Sequence, residues 1–595
     1  MILQSLYALY DRLAKDPAYD LVETGFSPQQ IAFRIILHPD GRLFEFQDAR
    51  VQSDKGKRVP VKMRAPGEAK PPGAGINPCF LWDNQTYLLG RQPEDKPAGF
   101  AQKRFEAFRD RHLALEKEIA SPRFAAVCRF LEQWTPERLS EAEYGILEEV
   151  GPGFGVFQVV GEADPVHEDP AVLEWWKKSQ AKNDTSVEGQ CLITGEISAI
   201  TKLHPKIKGI AGAQAAGASI VSFNDTAYES YGKTQGFNSP VGEEAAFRYG
   251  AALNNLLNGP QASRHRIRIG DTACVFWTDK PHMVEDIFAA IATGGDRAVE
   301  EAQDAGVRKK MEVFLKAVQQ GRAAYSDLGS NPDETRFFLL GLAPNAARLS
   351  VRFFYQSTLG ELLDHLHKHQ RDLEIVREFE QPVGKRWADP LSPAYWELLR
   401  ETTRQGDDPS PLLGGALMRA ILEGSPYPEA LLTGIIRRVQ IERSINYLRA
   451  AAIKAVLTRN HRLDIPVMLD PNNTNPAYLH GRLFAVLQKI QEEGGFEQTG
   501  RVPEKTIRDT YLASACATPA SVFPRLLLLS THHLRHLHPG RKVQFEQLVA
   551  EINWPLTGNA RRIHTLEEQG LFLLGYYHQR KAFFTKKEGT AAASI

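Results

Sequence analysis

No sign of charge predominates in this sequence. Its 72 lysines and arginines are matched by 72 aspartates and glutamates, so the chain as a whole lacks the basic surplus that phosphate binding usually leaves. Cysteine is scarce. Five occur in 595 residues, at 79, 128, 191, 274 and 516, an odd number without a Cys-x-x-Cys pair. That spacing excludes a disulfide framework and a zinc ribbon and suits a reducing, cytoplasmic compartment. Long apolar runs are missing too. The most apolar glycine/alanine tract, Gly209 to Phe223, is interrupted by Gln214 and falls short of the ~18 residues of a membrane span. The opening MILQSLYALYDRLAKDPAYD carries charge too early for a signal peptide, so no membrane association is expected. No internal repeat is present, and only the final GTAAASI is low in complexity. With 43% hydrophobic and 24% charged residues, the composition is that of a globular chain.

Catalytic signatures are equally sparse. Gly212 to Ser219 reads GAQAAGAS, the Gly-x4-Gly spacing of a P-loop, but Ala218 stands where the phosphate-binding lysine belongs. GPGFG at 151–155 precedes a strand instead of following one, so the dinucleotide fingerprint fails. There is no Gly-x-Ser-x-Gly elbow. His532 and His536 share a helix face at i, i+4 within THHLRHLHPGRK, beside His533 and His538. No Glu sits between them as in a metalloprotease, and the basic neighbours favour a solvated or strand-binding face over a metal site. His365, His367 and His369 are read the same way. No catalytic residue, metal or cofactor is expected.

What is present reads as α+β: a mixed α/β N-terminal and central region with antiparallel hairpins, followed by an all-α C-terminal helical bundle. Two β-rich runs around Asp40-Gly41 predict a hairpin. FLWDNQTYLLG has strand character, ~100–150 is helical, 153–161 is a strand, and RIRIGDTACVFW is a closing strand. Residues 334–356 form a second hairpin, and apolar residues at i, i+3, i+4 dominate from ~358. The expected divisions are 1–185 with a basic loop at 54–77, 186–357 with a Gly/Asn-rich loop, a helical linker region at 358–467, and a helical bundle at 468–595.

The neutral total conceals asymmetry. Residues 468–595 carry 15 basic and 11 acidic side chains, a net +4 against −4 elsewhere, and residues 54–70 carry six basic and two acidic. In the 54–77 segment, Lys55, Lys57, Arg58, Lys62, Arg64 and Lys70 are candidate phosphate ligands. Gly73 and Gly75 would let backbone approach a groove, and the Asn77 amide would read a base edge. A solvated surface loop is the alternative. In the central segment, Lys206 and Lys208 precede Gln214, and Asn224, Tyr228, Tyr231, Lys233, Gln235 and Asn238 follow. Lysine, amide and aromatic together suit phosphate anchoring with stacking or groove reading. For the asparagines alone, turn chemistry is the alternative.

MILQSLYALYDRLA, NPCFLWDNQTYLLG (77–90), CLITGE (191–196), LHPKIKGIAGAQAAGASIVSFNDTAYESYGKTQG (203–236), FFLLGLAPNAARLSVRFF (337–354) and DPNNTNPAYLHGRLFAVLQKIQ (470–491) resemble, in order and nearly end to end, the large subunit of the type I-C CRISPR surveillance complex (Cascade). The resemblance implies a non-catalytic subunit of a guide CRISPR RNA ribonucleoprotein. It would assemble with Cascade backbone and RNA-processing subunits and recognise the protospacer-adjacent motif in target double-stranded DNA. It would also aid unwinding and R-loop formation, hold the displaced strand and recruit a nuclease-helicase. The C-terminal part would resemble a Cascade small subunit, also made separately from an internal start, here Met468, with Arg482, Lys489, Arg525, Arg535, Arg541 and Lys542 as strand-binding candidates. The rival readings are a metal-dependent nuclease or phosphate-handling enzyme, and a purely architectural scaffold.

Overall fold

A computed structural model describes residues 1–21, 23–52, 56–67, 75–140, 145–151, 153–180, 187–269, 272–286, 288, 292, 305–328, 331–381, 388–556 and 562–584. It is 53% helical with 16% strand, and its sheets are small and open, an α+β fold with a helical C-terminal region. Two compact units are distinguished, one of residues 1–208 and 214–255, the other of 209–213 and 256–595.

The first unit opens with the helix Ile2–Ala14, whose buried face is Leu6, Leu9, Tyr10 and Leu13. Its sheet is built on one long strand, β1 (Phe26–Leu37). β2 (Leu43–Asp48) pairs antiparallel with residues 33–37 of β1. Gly41 occupies the turn between them at φ +91, which a side chain resists. β3 (Val51–Gln52) and β4 (Arg58–Val59) form a small hairpin of their own. β5 (Val61–Pro66) then pairs with residues 26–31 of β1, along the edge that β2 occupies further on. The other edge of β1 takes β7 (Phe154–Val159) in parallel, and β6 (Trp82–Asn84) pairs with β7. The parallel pairing needs a crossover, supplied by the helices Phe100–Leu115 and Pro122–Gln133. Their buried Phe105, Phe108, Phe124, Val127 and Leu131 pack in one core with Phe33, Ile35 and Phe157 of the sheet.

FLWDNQTYLLG is strand only over its first part. The Asn84 side chain accepts from the backbone of Thr86 and Tyr87 and starts the helix Gln85–Leu88. The cap overrides the β-propensity of Thr86 and Tyr87. A short hairpin, β8 (Glu188–Gln190) with β9 (Ile197–Ala199), leads into the central segment.

The second unit contains the sheet β10 (Arg266–Ile269), β11 (Thr272–Thr278), β12 (Arg336–Asn345) and β13 (Arg348–Thr358), antiparallel throughout. RIRIGDTACVFW is therefore two paired strands and not one. The Thr358 side chain caps the next helix, Leu359–Leu373, in a reciprocal box with Glu361. Helices then run in succession. The periodic run from Ala430 to Asn460 is broken once: Arg443 turns left-handed at φ 55, and Asn446 caps a new helix. Helices Pro476–Thr499 and Leu566–Ala582 make the tightest crossing, with Gly481 against the Phe572 carbonyl and Gly575 against the Tyr478 carbonyl. One apolar core runs through the whole unit, from Ile267 to Tyr577.

Candidate nucleic-acid interface

The N-terminal cations are largely engaged by carboxylates. Asp48 accepts from Arg50 at 2.9 Å through each of its two oxygens and from Arg58 at 2.7 Å. The Arg50 hydrogen bonds, helped by Arg58, hold the Asp48 carboxyl down at about 2. Lys62 donates to Asp20 at 3.1 Å. Arg64 makes a fork with Glu168, lies 3.8 Å from Glu23 and stacks its guanidinium over Phe26. Its carbonyl bonds the buried His167 ring at 2.9 Å. Lys62 and Arg64 thus belong to an edge strand, and a sequence reading misses their partners because Glu168 lies 104 residues away. Lys57 is exposed. Gly75 and Asn77 are exposed too, their backbone tied to the Tyr87 hydroxyl. Lys55, Lys70 and Gly73 lie outside the described residues.

The central segment is organised differently. Ile207 is buried and pairs with the buried Ala218, so Lys206 and Lys208 on either side stand outward. Asn254 fixes this segment by donating to the Lys206 carbonyl and accepting from the Lys208 N–H, both at 2.9 Å. Gly217 closes a turn from Gln214 at φ +96, where a Cβ would meet Lys206. Gln214 is exposed. The helix that a phosphate loop requires does not follow; the next helical turn is the three-residue Thr226–Tyr228.

On either side of it, Asn224 and Lys233 are exposed. Asn238 is not aimed outward. Its side chain accepts from Ser230 N–H at 2.9 Å and donates to the Lys233 and Gln235 carbonyls at 2.9 and 3.0 Å. Gln235 donates its N–H to Glu229 at 3.1 Å, and its side-chain oxygen is buried without a hydrogen-bond partner. These bonds frame a tight turn with Tyr231 at its tip, 99% exposed. Turn chemistry explains Asn238, and Tyr231, named with it from the sequence, stands at the exposed tip.

In the C-terminal region, Arg482 is 2% exposed and bonds Gln579 at 3.1 Å and the Pro471 carbonyl at 3.0 Å. Its guanidinium also lies 3.5 Å from Glu551, so the side chain is engaged within the fold. Lys489 and Arg541 converge on Glu493 at 3.3 and 2.8 Å, and Lys542 lies 3.9 Å from Glu546. Arg525 and Arg535 are exposed and, among the described residues, pair with no carboxylate. Met468 is 64% exposed, in the connection before Pro476–Thr499.

The histidine groups divide. His365, His367 and His369 each bond a different element through Nδ1, to the Leu422 carbonyl, the Val318 carbonyl and the Tyr427 hydroxyl. His532 lies 5.6 Å from the His533 ring and 5.3 Å from that of His536. Among the described residues, no group of three or more His, Cys, Asp or Glu could hold a metal ion. In GPGFG, Gly153 and Gly155 admit Ala32 and Phe33 of β1, a packing role. No helix among the described residues is long and apolar enough to cross a membrane.

A family model, CRISPR-associated protein (Cas_Csd1), matches residues 6–584. The chain belongs to this family. No curated protein matches the chain. A Cas_Csd1 member is a component of a CRISPR-associated complex.

Proposed function

We propose that this chain is the non-catalytic large subunit of a type I-C RNA-guided surveillance complex. It recognises the protospacer-adjacent motif in duplex DNA, aids unwinding and R-loop formation, holds the displaced strand and helps recruit the nuclease-helicase. Guide pairing then supplies most of the sequence specificity, and protein reads only the short flanking motif. The family match over residues 6–584 carries this reading. The exposed lysines of the central segment support it: Lys206 and Lys208 suit phosphates, with Gln214 on the adjoining turn suited to a base edge. The N-terminal candidates contribute less, since Arg58, Lys62 and Arg64 already face Asp48, Asp20 and Glu168. In the C-terminal region, Arg525 and Arg535 are the proposed strand contacts.

Titrating the full chain with duplexes that differ only in the flanking motif, across a salt series, tests the reading. Binding should weaken as salt rises, and Lys206→Ala with Lys208→Ala should lower the log–log salt slope by about 0.9 per lost phosphate contact. An unchanged slope with full affinity would remove the central segment from the interface. Magnesium-dependent cleavage by the chain alone would favour a nuclease instead.

A further inference from the structure

The loop 225–239 holds an unusual residue in an unusual place. Ser230 and Lys233 face each other across a two-residue turn, with the Lys233 N–H donating to the Ser230 carbonyl at 3.0 Å. Both central residues have positive φ, Tyr231 at 55 and Gly232 at 69. Asn-Gly is the favoured pair for such a turn, because asparagine tolerates the left-handed region and a bulky side chain does not. Here a tyrosine takes the first position, with its ring in solvent at 99% exposure. Local strain and an exposed apolar ring both cost stability, so the ring's use lies outside the fold. The surroundings brace the tip. Asn238 ties three backbone groups beneath it. Both acids of the loop accept from backbone N–H groups, Asp225 from Ala227 at the surface and Glu229 from Gln235. The exposed charge next to the ring in sequence is the cation of Lys233.

We propose that Tyr231 is a stacking platform for an unpaired base, with Lys233 on the adjacent phosphate. The ring offers a π-face that any base accepts, on a turn tied down by Asn238. This rests on the nucleic-acid reading above and specifies it: the turn takes single-stranded nucleic acid.

The test uses the full chain and a single-stranded oligonucleotide containing 2-aminopurine. Binding should change the probe's fluorescence. Tyr231→Phe should retain affinity. Tyr231→Asn, which suits the turn better, should melt no lower than the parent yet bind at least fivefold more weakly. Its salt slope should be unchanged, since no phosphate contact is lost, whereas Lys233→Ala should flatten the slope by about 0.7. If Tyr231→Asn binds the strand as tightly as the parent, the stacking assignment is overturned while the broader reading stands, and the tip belongs to a protein contact. If the parent chain binds neither strand nor duplex at any salt, both readings fall.

Discussion

Asn238 and Arg482 are two polar side chains whose sequence promise the fold uses internally. Both sit among residues that suggest nucleic-acid contact, and both are satisfied internally. Asn238→Ala removes three hydrogen bonds from one loop and should cost about 1–3 kcal/mol of local stability, at about 1 kcal/mol per bond. Hydrogen exchange of the Ser230 and Lys233 amides would register it as faster exchange. Arg482→Ala should lower the melting temperature by leaving the buried Gln579 side chain without this partner. By contrast, Arg525→Ala with Arg535→Ala should leave the melting temperature within error and reduce the salt slope of strand binding. The reverse outcome in calorimetry and titration would exchange the roles of these residues.

At the scale of elements, local chemistry was legible and long-range pairing was not. The Asp40-Gly41 hairpin, the strand at 154–159, the 336–358 hairpin and the helical C-terminal region all follow from turn residues and apolar period. The parallel match of β1 with β7 did not, because nothing local in either strand names its partner. For the same reason the basic segment read as open charge: Asp48, Asp20 and Glu168, which pair with Arg58, Lys62 and Arg64, come from separate elements. The connection holding Met468 makes a further expectation testable. Its side chain is exposed, so Met468→Ala should be neutral for stability. If an internal start operates there, the change should abolish a 128-residue product on a blot for a C-terminal tag; persistence of that band would place the start elsewhere.

Across the whole molecule, buried neutral histidines set the response to acid. Burial pushes His112 and His369 down to about 3, and His167, His480 and His578 to about 4. The unfolded chain takes up these protons near pH 6.5, so it binds more protons than the folded chain below that value. Stability is therefore full above pH 6.5 and falls as pH drops toward 4, by about 1.4 kcal/mol per pH unit for each ring affected. Melting curves between pH 7 and pH 4.5 should shift steadily downward in both units; a flat profile would mean that the rings protonate in place.

The crossing of Pro476–Thr499 with Leu566–Ala582 also sets an order of events. Gly481 and Gly575 bring the two backbones together without side chains between them, yet the second helix leaves the ribosome well after the first. Until it arrives, the first helix can pack on Pro519–Leu534 and Pro539–Asn553, but its glycine face stays open, so this crossing forms only once Leu566–Ala582 has been made. A chain truncated before Leu566 would keep every upstream residue and still lack that closure. A chain begun at Met468 would carry both halves.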